Sequence, residues 1–329
     1  RSTLFPYTTL FRSIVLREPS VVAIKSDTGD VLAVGEEAKK MIGRTPGNVV
    51  AIRPMKDGVI ADFDVTQAML KYFIRKAMNS KSFARPRVVV GVPSGVTEVE
   101  KRAILDAAQS TGSRRVHLIQ EPLAALIGAD ITINKPVGNM VVDIGGGTTD
   151  VAVVSMNGIV TARSIKVAGN RFDQSIIRYV QNKYQILLGA KTAEQVKKSL
   201  CNLYDPADDV IKSVKGRSIP RGLPEQCDLS ETELFEALED DVNAIVEMIR
   251  RTLEETPPEL VGDICANGIL LTGGGALLTN LDKLLSHETG MPVLVSEDAL
   301  SCVGEGTGRS LENIELLKRV VMTGKKLRS

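Results

Sequence analysis

Two runs of three glycines, each set directly after an apolar, strand-like stretch, constrain this chain more than any other feature. The first lies in Met140-Val141-Val142-Asp143-Ile144-Gly145-Gly146-Gly147-Thr148-Thr149-Asp150, the second in Ile269-Leu270-Leu271-Thr272-Gly273-Gly274-Gly275-Ala276. Glycine tolerates positive φ and lets main-chain N–H groups come close to an anion, so a strand ending in three of them is suited to phosphate. After the first triplet Val151-Ala152-Val153-Val154 resumes a β-rich run, which predicts strand–turn–strand. After the second, Ala276, Leu277, Leu278 and then Leu281, Leu284, Leu285 recur at helical spacing. That predicts strand–turn–helix with the helix N-terminus aimed at the turn. Two different anion cradles about 130 residues apart suggest one nucleotide clamped between two lobes.

Taken singly, either triplet is more often a plain tight connection. Asp143, at the strand end before the first, adds a carboxylate where a hydrated Mg²⁺ beside a phosphate would be held. Other nucleotide signatures are missing. There is no G-x-x-x-x-G-K-[ST] run, no strand is followed by G-x-G-x-x-G, and Gly304, Gly306 and Gly308 have the wrong spacing for it.

At 329 residues the chain has room for about two domains. A net charge of +1 gives no global field to select nucleic acid. No apolar run approaches the ~18 residues of a membrane span. Cys201, Cys227, Cys265 and Cys302 lie far apart, which favours reduced thiols over disulfides or zinc. Residues 1–13 look foreign: Arg-Ser-Thr-Leu-Phe is nearly repeated as Thr-Leu-Phe-Arg-Ser, in a chain otherwise poor in aromatics, and the tract lacks the parts of a signal peptide. A divergent N-terminal strand is the alternative.

Strand-like runs at Val21–Ile24, Val31–Val34, Arg87–Val92, Met140–Ile144, Val151–Ser155, Ile159–Ile165, Ile269–Leu271 and Pro292–Val295 alternate with helical signals, which means an α/β protein. Thr97-Glu98-Val99-Glu100 and Ser230-Glu231-Thr232-Glu233 are capping boxes. The helix opened by Ser230 must stop before Pro257-Pro258. Thr192 reads as another start, Asp64 or Thr66 as the cap of a helix over Met69, Leu70 and Phe73, and Glu121-Pro122 as the start of a short apolar helix. Residues 205–228 show weak periodicity and fit a small peripheral subdomain or loop.

Together, strand–Asp-x-Gly-Gly-Gly-Thr-Thr–strand and the later Leu-x-Gly-Gly-Gly-Ala resemble the phosphate and adenosine motifs of the actin, Hsp70 and sugar-kinase ATPases. Ile14–Ser20, Gly43-Arg44-Thr45-Pro46-Gly47-Asn48, Arg53–Phe63 and Glu121-Pro122 narrow the resemblance to bacterial actins of the MreB/Mbl rod-shape group, over about Ile14 to Leu311. The resemblance implies an actin-like fold: two lobes, each with a mixed β-sheet flanked by helices, around an ATP–Mg²⁺ cleft. Lobe I would be 14–136 plus 304–329, with a small subdomain at about 24–65. Lobe II would be 137–303, with a small subdomain at about 174–235.

It further implies that Asp143 positions Mg²⁺ through water and that Gly145, Gly146, Gly147 and Thr148 form the second phosphate loop. Glu121, orienting the attacking water, and Thr148 take the catalytic positions. Glu194 and Lys197 contact the nucleoside, and Gly273, Gly274, Gly275, Ala276 and Leu277 form the adenosine turn. Gly169-Asn170-Arg171-Phe172-Asp173 matches a further stretch bordering the nucleotide, or is simply a capped helix start. Phosphoryl transfer needs positioning more than covalent chemistry, so a slow hydrolysis that rises in a polymer is expected.

Two departures stand out. The family begins with a strand and an Asp-x-Gly-Thr loop just before the segment matching Ile14, and here that place holds the foreign-looking tract. Ser199 stands where an acidic residue is usual.

Self-assembly into filaments, a cytoplasmic location, peripheral attachment to the inner membrane and cell-wall elongation proteins as partners are carried by the resemblance. Phe83, in the basic stretch Asn79–Arg87, is the candidate lipid contact, with an ordinary basic loop as the alternative. Nucleic acid is not an expected partner. A non-hydrolysing scaffold, and more distantly a sugar-type kinase, are the competing functions. An Hsp70-like chaperone is disfavoured because the chain ends at Ser329, leaving no peptide-binding domain.

Overall fold

Strand-like and helix-capping signals segregate into two groups of sheets that share a helix pair between them. The computed structural model describes residues 7–10, 13–56, 58–78, 85–312 and 322–323. The Phe83 stretch, 79–84, therefore lies outside the described residues, as does most of the tail beyond 312.

The first lobe opens with β1 (Tyr7–Leu10), β2 (Ser13–Arg17), β3 (Val22–Lys25), β4 (Val31–Val34), α1 (Glu36–Met41) and β5 (Val49–Ile52). It continues through β6 (Met55–Lys56), β7 (Val59–Ile60), α2 (Phe63–Ala77), β8 (Arg87–Val92), α3 (Glu98–Gln109), β9 (Arg115–Gln120) and α4 (Glu121–Gly128). The second contains β10 (Asn139–Ile144), β11 (Thr149–Ser155), β12 (Gly158–Ile165), α5 (Gly169–Tyr184), β13 (Ile186–Leu187), α6 (Ala190–Leu200), β14 (Ile211–Ser218) and β15 (Pro224–Ser230). After them come α7 (Glu231–Glu254), α8 (Pro258–Asn267), β16 (Ile269–Thr272), α9 (Leu281–Thr289) and β17 (Val293–Val295), and then α10 (Cys302–Glu312) and β18 (Met322–Thr323), which pack on the first lobe.

The second lobe is built on a five-stranded sheet in the order β12-β11-β10-β16-β17, antiparallel on the β11 side of β10 and parallel on the β16 side. β10 and β11 are buried on both faces, which is why they read as near-continuous apolar runs. Met140, Val142 and Ile144 join the core formed with α5 and α7, whereas Val141 packs with Leu123, Ala124 and Leu126 of α4. The first lobe is built on β18-β9-β8, with β8 and β9 parallel. Its core gathers Met69, Leu70 and Phe73 of α2 with Ile104 and Leu105 of α3 against Val90, Val92, Val116 and Leu118.

Both capping boxes form, at Thr97 and Ser230, and the Ser230 helix ends at Glu254 before the prolines. The cap of α2 is Asp62, whose carboxylate accepts from Val65 N–H at 3.0 Å, rather than Asp64 or Thr66. Helix α6 starts at Ala190, ahead of Thr192. The weakly periodic stretch before Ser230 holds the hairpin β14–β15, whose inward positions on β14 are Lys212, Val214, Gly216 and Ser218, so its burial alternates but its apolar residues do not. Helices α4 and α10 touch backbone to backbone: a Cβ at Gly306 would fall 1.7 Å from the Ala124 carbonyl oxygen and one at Gly128 1.9 Å from that of Cys302. This close crossing accounts for Gly306 in the sequence.

Candidate nucleotide site

The site is organised by one piece of register. β10 and β16 are adjacent parallel strands with Asp143 opposite Thr272, so the two triplets emerge side by side from neighbouring strands of one sheet. Both cradles thus fall within lobe II as bounded above, and the clamp suggested by their separation along the chain begins as two adjacent turns, because strand neighbourhood is set by the sheet. Gly273 has φ +83°, and a Cβ there would lie 2.3 Å from the Ile144 carbonyl oxygen and 2.5 Å from Asp143 Oδ1. The predicted helix directly after the second triplet, with its N-terminus aimed at the turn, is corrected. Gly274–Leu277 forms a single 3-10 turn, Leu278 is extended, and α9 begins only at Leu281. Leu277 is exposed while Leu281 and Leu285 are core, so the leucine spacing spans two separate pieces.

The turns are braced internally. Gly145 N–H donates to the Thr148 carbonyl at 2.9 Å and Gly273 N–H to that of Ala299 at 2.8 Å. The start of α5 docks on the first triplet through Asn170 N–H to the Gly146 carbonyl, 2.8 Å.

A cavity of about 320 Å³ opens over them. Of the residues singled out in the sequence, Asp143, Gly145, Glu194, Lys197, Gly273, Gly274, Gly275 and Leu277 line it. The facing wall comes from Val89 and Gly91 of β8 and Val303, Gly304 and Thr307 of α10. Gly146, Gly147, Thr148, Ala276 and Glu121 do not line it. Glu121 sits a layer behind, at the start of α4, 1% exposed and beneath Gly91, where a Cβ would be 3.3 Å from its Cγ.

Lys197 is buried and already bound, its Nζ donating to Asp173 Oδ1 at 2.6 Å and to the Gly169 carbonyl at 2.7 Å. Burial raises the Asp173 carboxyl and the Lys197 ammonium opposes it. For Glu194 burial pushes upward but is overcome by a hydrogen bond from Lys198 and by the charges of Lys39 and Lys198, which bring it to about 2. Lys39 belongs to α1 of the other lobe, and Arg53 Nη1 donates to Asn170 Oδ1 at 2.6 Å, so charged and polar groups face each other across the cleft mouth.

Deeper in are three buried carboxylates, Glu121, Asp143 and Asp150, with no basic side chain hydrogen-bonded to them among the described residues. Asp143 accepts from the Thr272 hydroxyl at 3.2 Å, and burial, reinforced by Asp150, lifts it to about 7. Asp150 lies directly opposite Asp143 across the β10–β11 ladder, and burial lifts it to about 6 against the pull of Ser94 N–H and nearby hydroxyls. Glu121 is raised well above the usual carboxylate range by burial and then by Asp143 and Asp150. Its Oε1 and Asp150 Oδ2 have no hydrogen-bond partner. Such a cluster is costly unless something positive or hydrogen-bonding enters it. Among the described residues no three His, Cys, Asp or Glu side chains are placed to ligate a metal directly. A cation here would thus be reached through water or a ligand's own oxygens.

Sequence reading gave no role to Asp150 or the α10 wall, and named Asp173 only within the tract Gly169–Asp173. Asp150 was legible in principle: in a hairpin closed by the triplet, two aspartates bracketing the turn fall opposite each other.

The sequence model of the MreB/Mbl protein family matches residues 8–319. The chain belongs to the MreB/Mbl family. Cell shape-determining protein Mbl of Bacillus subtilis (strain 168) is 50% identical over 308 residues, 94% of this chain and 92% of that protein. Cell shape-determining protein MreB of Escherichia coli (strain K12) is 52% identical over 312 residues, 93% and 89% of the two chains. Among solved structures, MreB5 of Spiroplasma citri bound to ADP superposes with a TM-score of 0.86 at 39% identity, covering 93% of this chain and 92% of that one. Its AMPPNP complex gives 0.87. The MamK double helical filament gives 0.78 at 23% identity over 92% and 93%, a likeness of fold alone. The fold is therefore actin-like, as expected for an MreB/Mbl protein. Among the described residues no helix is long and apolar enough to cross a membrane.

Proposed function

We propose that this chain is an ATP-binding, ATP-hydrolysing bacterial actin whose filaments, attached peripherally to the cytoplasmic membrane, guide cell-wall synthesis and rod shape. One observation carries the nucleotide reading: the two glycine turns and Asp143 open into a single cavity beside Glu194 and Lys197, with unpaired Glu121 behind it. Adenine and ribose would occupy the part lined by Glu194, Lys197 and Gly273–Leu277, and the phosphates would face the first triplet. The carboxylate cluster suits Mg²⁺, with Asp143 holding it through water. When bound, the metal would neutralise charge on the transferring phosphoryl group. Glu121 then orients the attacking water by accepting its hydrogen bond, and Thr148 closes the loop next to it. MreB5 of Spiroplasma citri, crystallised with ADP and with AMPPNP, supports the ligand class.

Head-to-tail contacts between copies do not close and so build filaments. Such a filament would multiply a weak lipid contact at Phe83. ATP-dependent pelleting with phosphate release is the expected result. A non-hydrolysing scaffold is favoured by one sequence fact, the missing Asp-x-Gly-Thr loop, and pelleting without phosphate release would select it. Unchanged liposome co-sedimentation of Phe83→Asp filaments would remove the lipid contact.

A further inference from the structure

The turn after β8 has no part in the reading above. Ser94 N–H crosses from the first lobe to the second and donates to Asp150 Oδ1 at 2.6 Å. Asp150, 1% exposed, sits in one cross-strand row with Asp143 on β10 and Ser164 on β12. The next residue, Gly95, presses on the same row, where a Cβ would be 3.0 Å from Ser164 Cβ. Pro93 and Thr148 converge on Gly58, at 3.1 Å from Pro93 Cγ and 3.2 Å from Thr148 Cγ2 to a Cβ built there. One short turn of the first lobe thus docks on Asp150 and Ser164 and lies beside Thr148, at the floor of the cleft.

We propose that Asp150 is a positioning residue: it latches the Pro93–Gly95 turn of the first lobe to the second, and through that latch closure of the cleft sets Thr148 and Glu121 in place for hydrolysis. The proposal rests on the hydrolytic reading for its consequence, not for its geometry. A buried carboxylate that accepts from the opposite lobe's backbone keeps that bond in the closed arrangement and loses it when the lobes part. Movement of the turn also moves Pro93 and Gly58 away from Thr148. The latch would therefore act on turnover more than on nucleotide affinity, since Asp150 does not line the cavity.

The test uses the full chain and two readouts. Hydrogen exchange of residues 93–97 without nucleotide reports the latch, and steady-state ATP hydrolysis reports its consequence. In Asp150→Ala, exchange at Ser94 accelerates about tenfold or more, as loss of a hydrogen bond to a charged group predicts. There kcat falls about tenfold with KM changed less than about threefold. Asp150→Asn keeps an Oδ1 acceptor and retains most of the protection and of kcat. Gly95→Val opens the same turn without touching a carboxylate and gives the same acceleration, which covers a failure of Asp150→Ala to fold. Wild-type exchange rates in both Asp150→Ala and Gly95→Val overturn the proposal. So does an Asn variant that exchanges as fast as the Ala variant, because charge rather than the bond would then be at work. If the wild-type chain does not hydrolyse ATP, the functional reading falls and the exchange data still decide the latch.

Discussion

The two sheets that border the cavity, β12-β11-β10-β16-β17 and β18-β9-β8, differ at the place where each meets it. In the second lobe the parallel pair β10–β16 is flanked by the returning hairpin β11–β12, so β10 is an interior strand and its turn is held on both sides. In the first lobe the parallel pair β8–β9 is flanked on the β9 side by β18, and among the described residues β8 is the edge, with Val89 and Gly91 on the cavity wall. β1 and β2, which precede it in sequence, pair with each other and not with β8. A phosphate-binding turn needs a strand to hold it rigid. The second lobe has such a strand, Asp143 and a glycine triplet. The first offers β8 and the Pro93–Gly95 turn, and no Asp-x-Gly-Thr loop occurs in the sequence ahead of it.

The largest expected effect tests the complete side. Glu121→Gln removes the carboxylate proposed to orient the attacking water and should lower hydrolysis by about 10²–10³-fold while ATP-dependent pelleting persists. Phosphate release at the unmodified rate would displace Glu121 from its role. The next experiment repairs the incomplete side. Replacing residues 1–13 with a strand–Asp-x-Gly-Thr–strand hairpin should tighten ATP binding by roughly 10–100-fold, the worth of one or two hydrogen bonds to a charged phosphate. Micromolar or tighter affinity in the chain as it stands would show that the first lobe needs no such loop.

Smaller in effect, Gly273→Ala should cost about 1–3 kcal/mol of stability, from a methyl in a left-handed backbone facing Ile144 and Asp143. A denaturation midpoint equal to that of the parent would show that the two turns are not pressed together as described.

The mildest test is pH. Asp143 and Asp150 titrate near 7 and 6 in the folded chain, above their ordinary carboxylate values, so between about pH 4 and 7 the folded state binds more protons than the unfolded one. Stability of the nucleotide-free chain should fall as pH rises through that window, on the order of 1 kcal/mol per pH unit. Mg²⁺–ATP, by supplying positive charge to the ionised cluster, should flatten or reverse the slope. Thermal melts at pH 5, 6, 7 and 8 with and without Mg²⁺–ATP measure it, and a rise in stability toward pH 7 without ligand would contradict the burial of these groups.

Much of the site was legible because its signals are local. A triplet after an apolar run, a carboxylate at a strand end and a capping box each depend on residues a few positions apart, and each forms where it was expected. The second triplet shows the limit. Leu277 and Leu281 share a helical spacing, yet Asn280, left-handed with φ +59°, separates the 3-10 turn from α9, and nothing in the leucine pattern records that break. Asp173 was quoted only as part of a tract, since its ion pair with Lys197 joins two different helices, α5 and α6.

The sequence by itself determined the two glycine turns, the residues around them and the family, because backbone freedom, hydrophobic period and motif spacing are properties of short segments. Only the tertiary structure decided that both turns leave one sheet as neighbours, that α10 supplies the far wall, and that Asp150 meets the opposite lobe. Those facts follow from strand order and helix crossing, which are fixed by how distant segments bury one another and leave no trace in the spacing of residues along the chain.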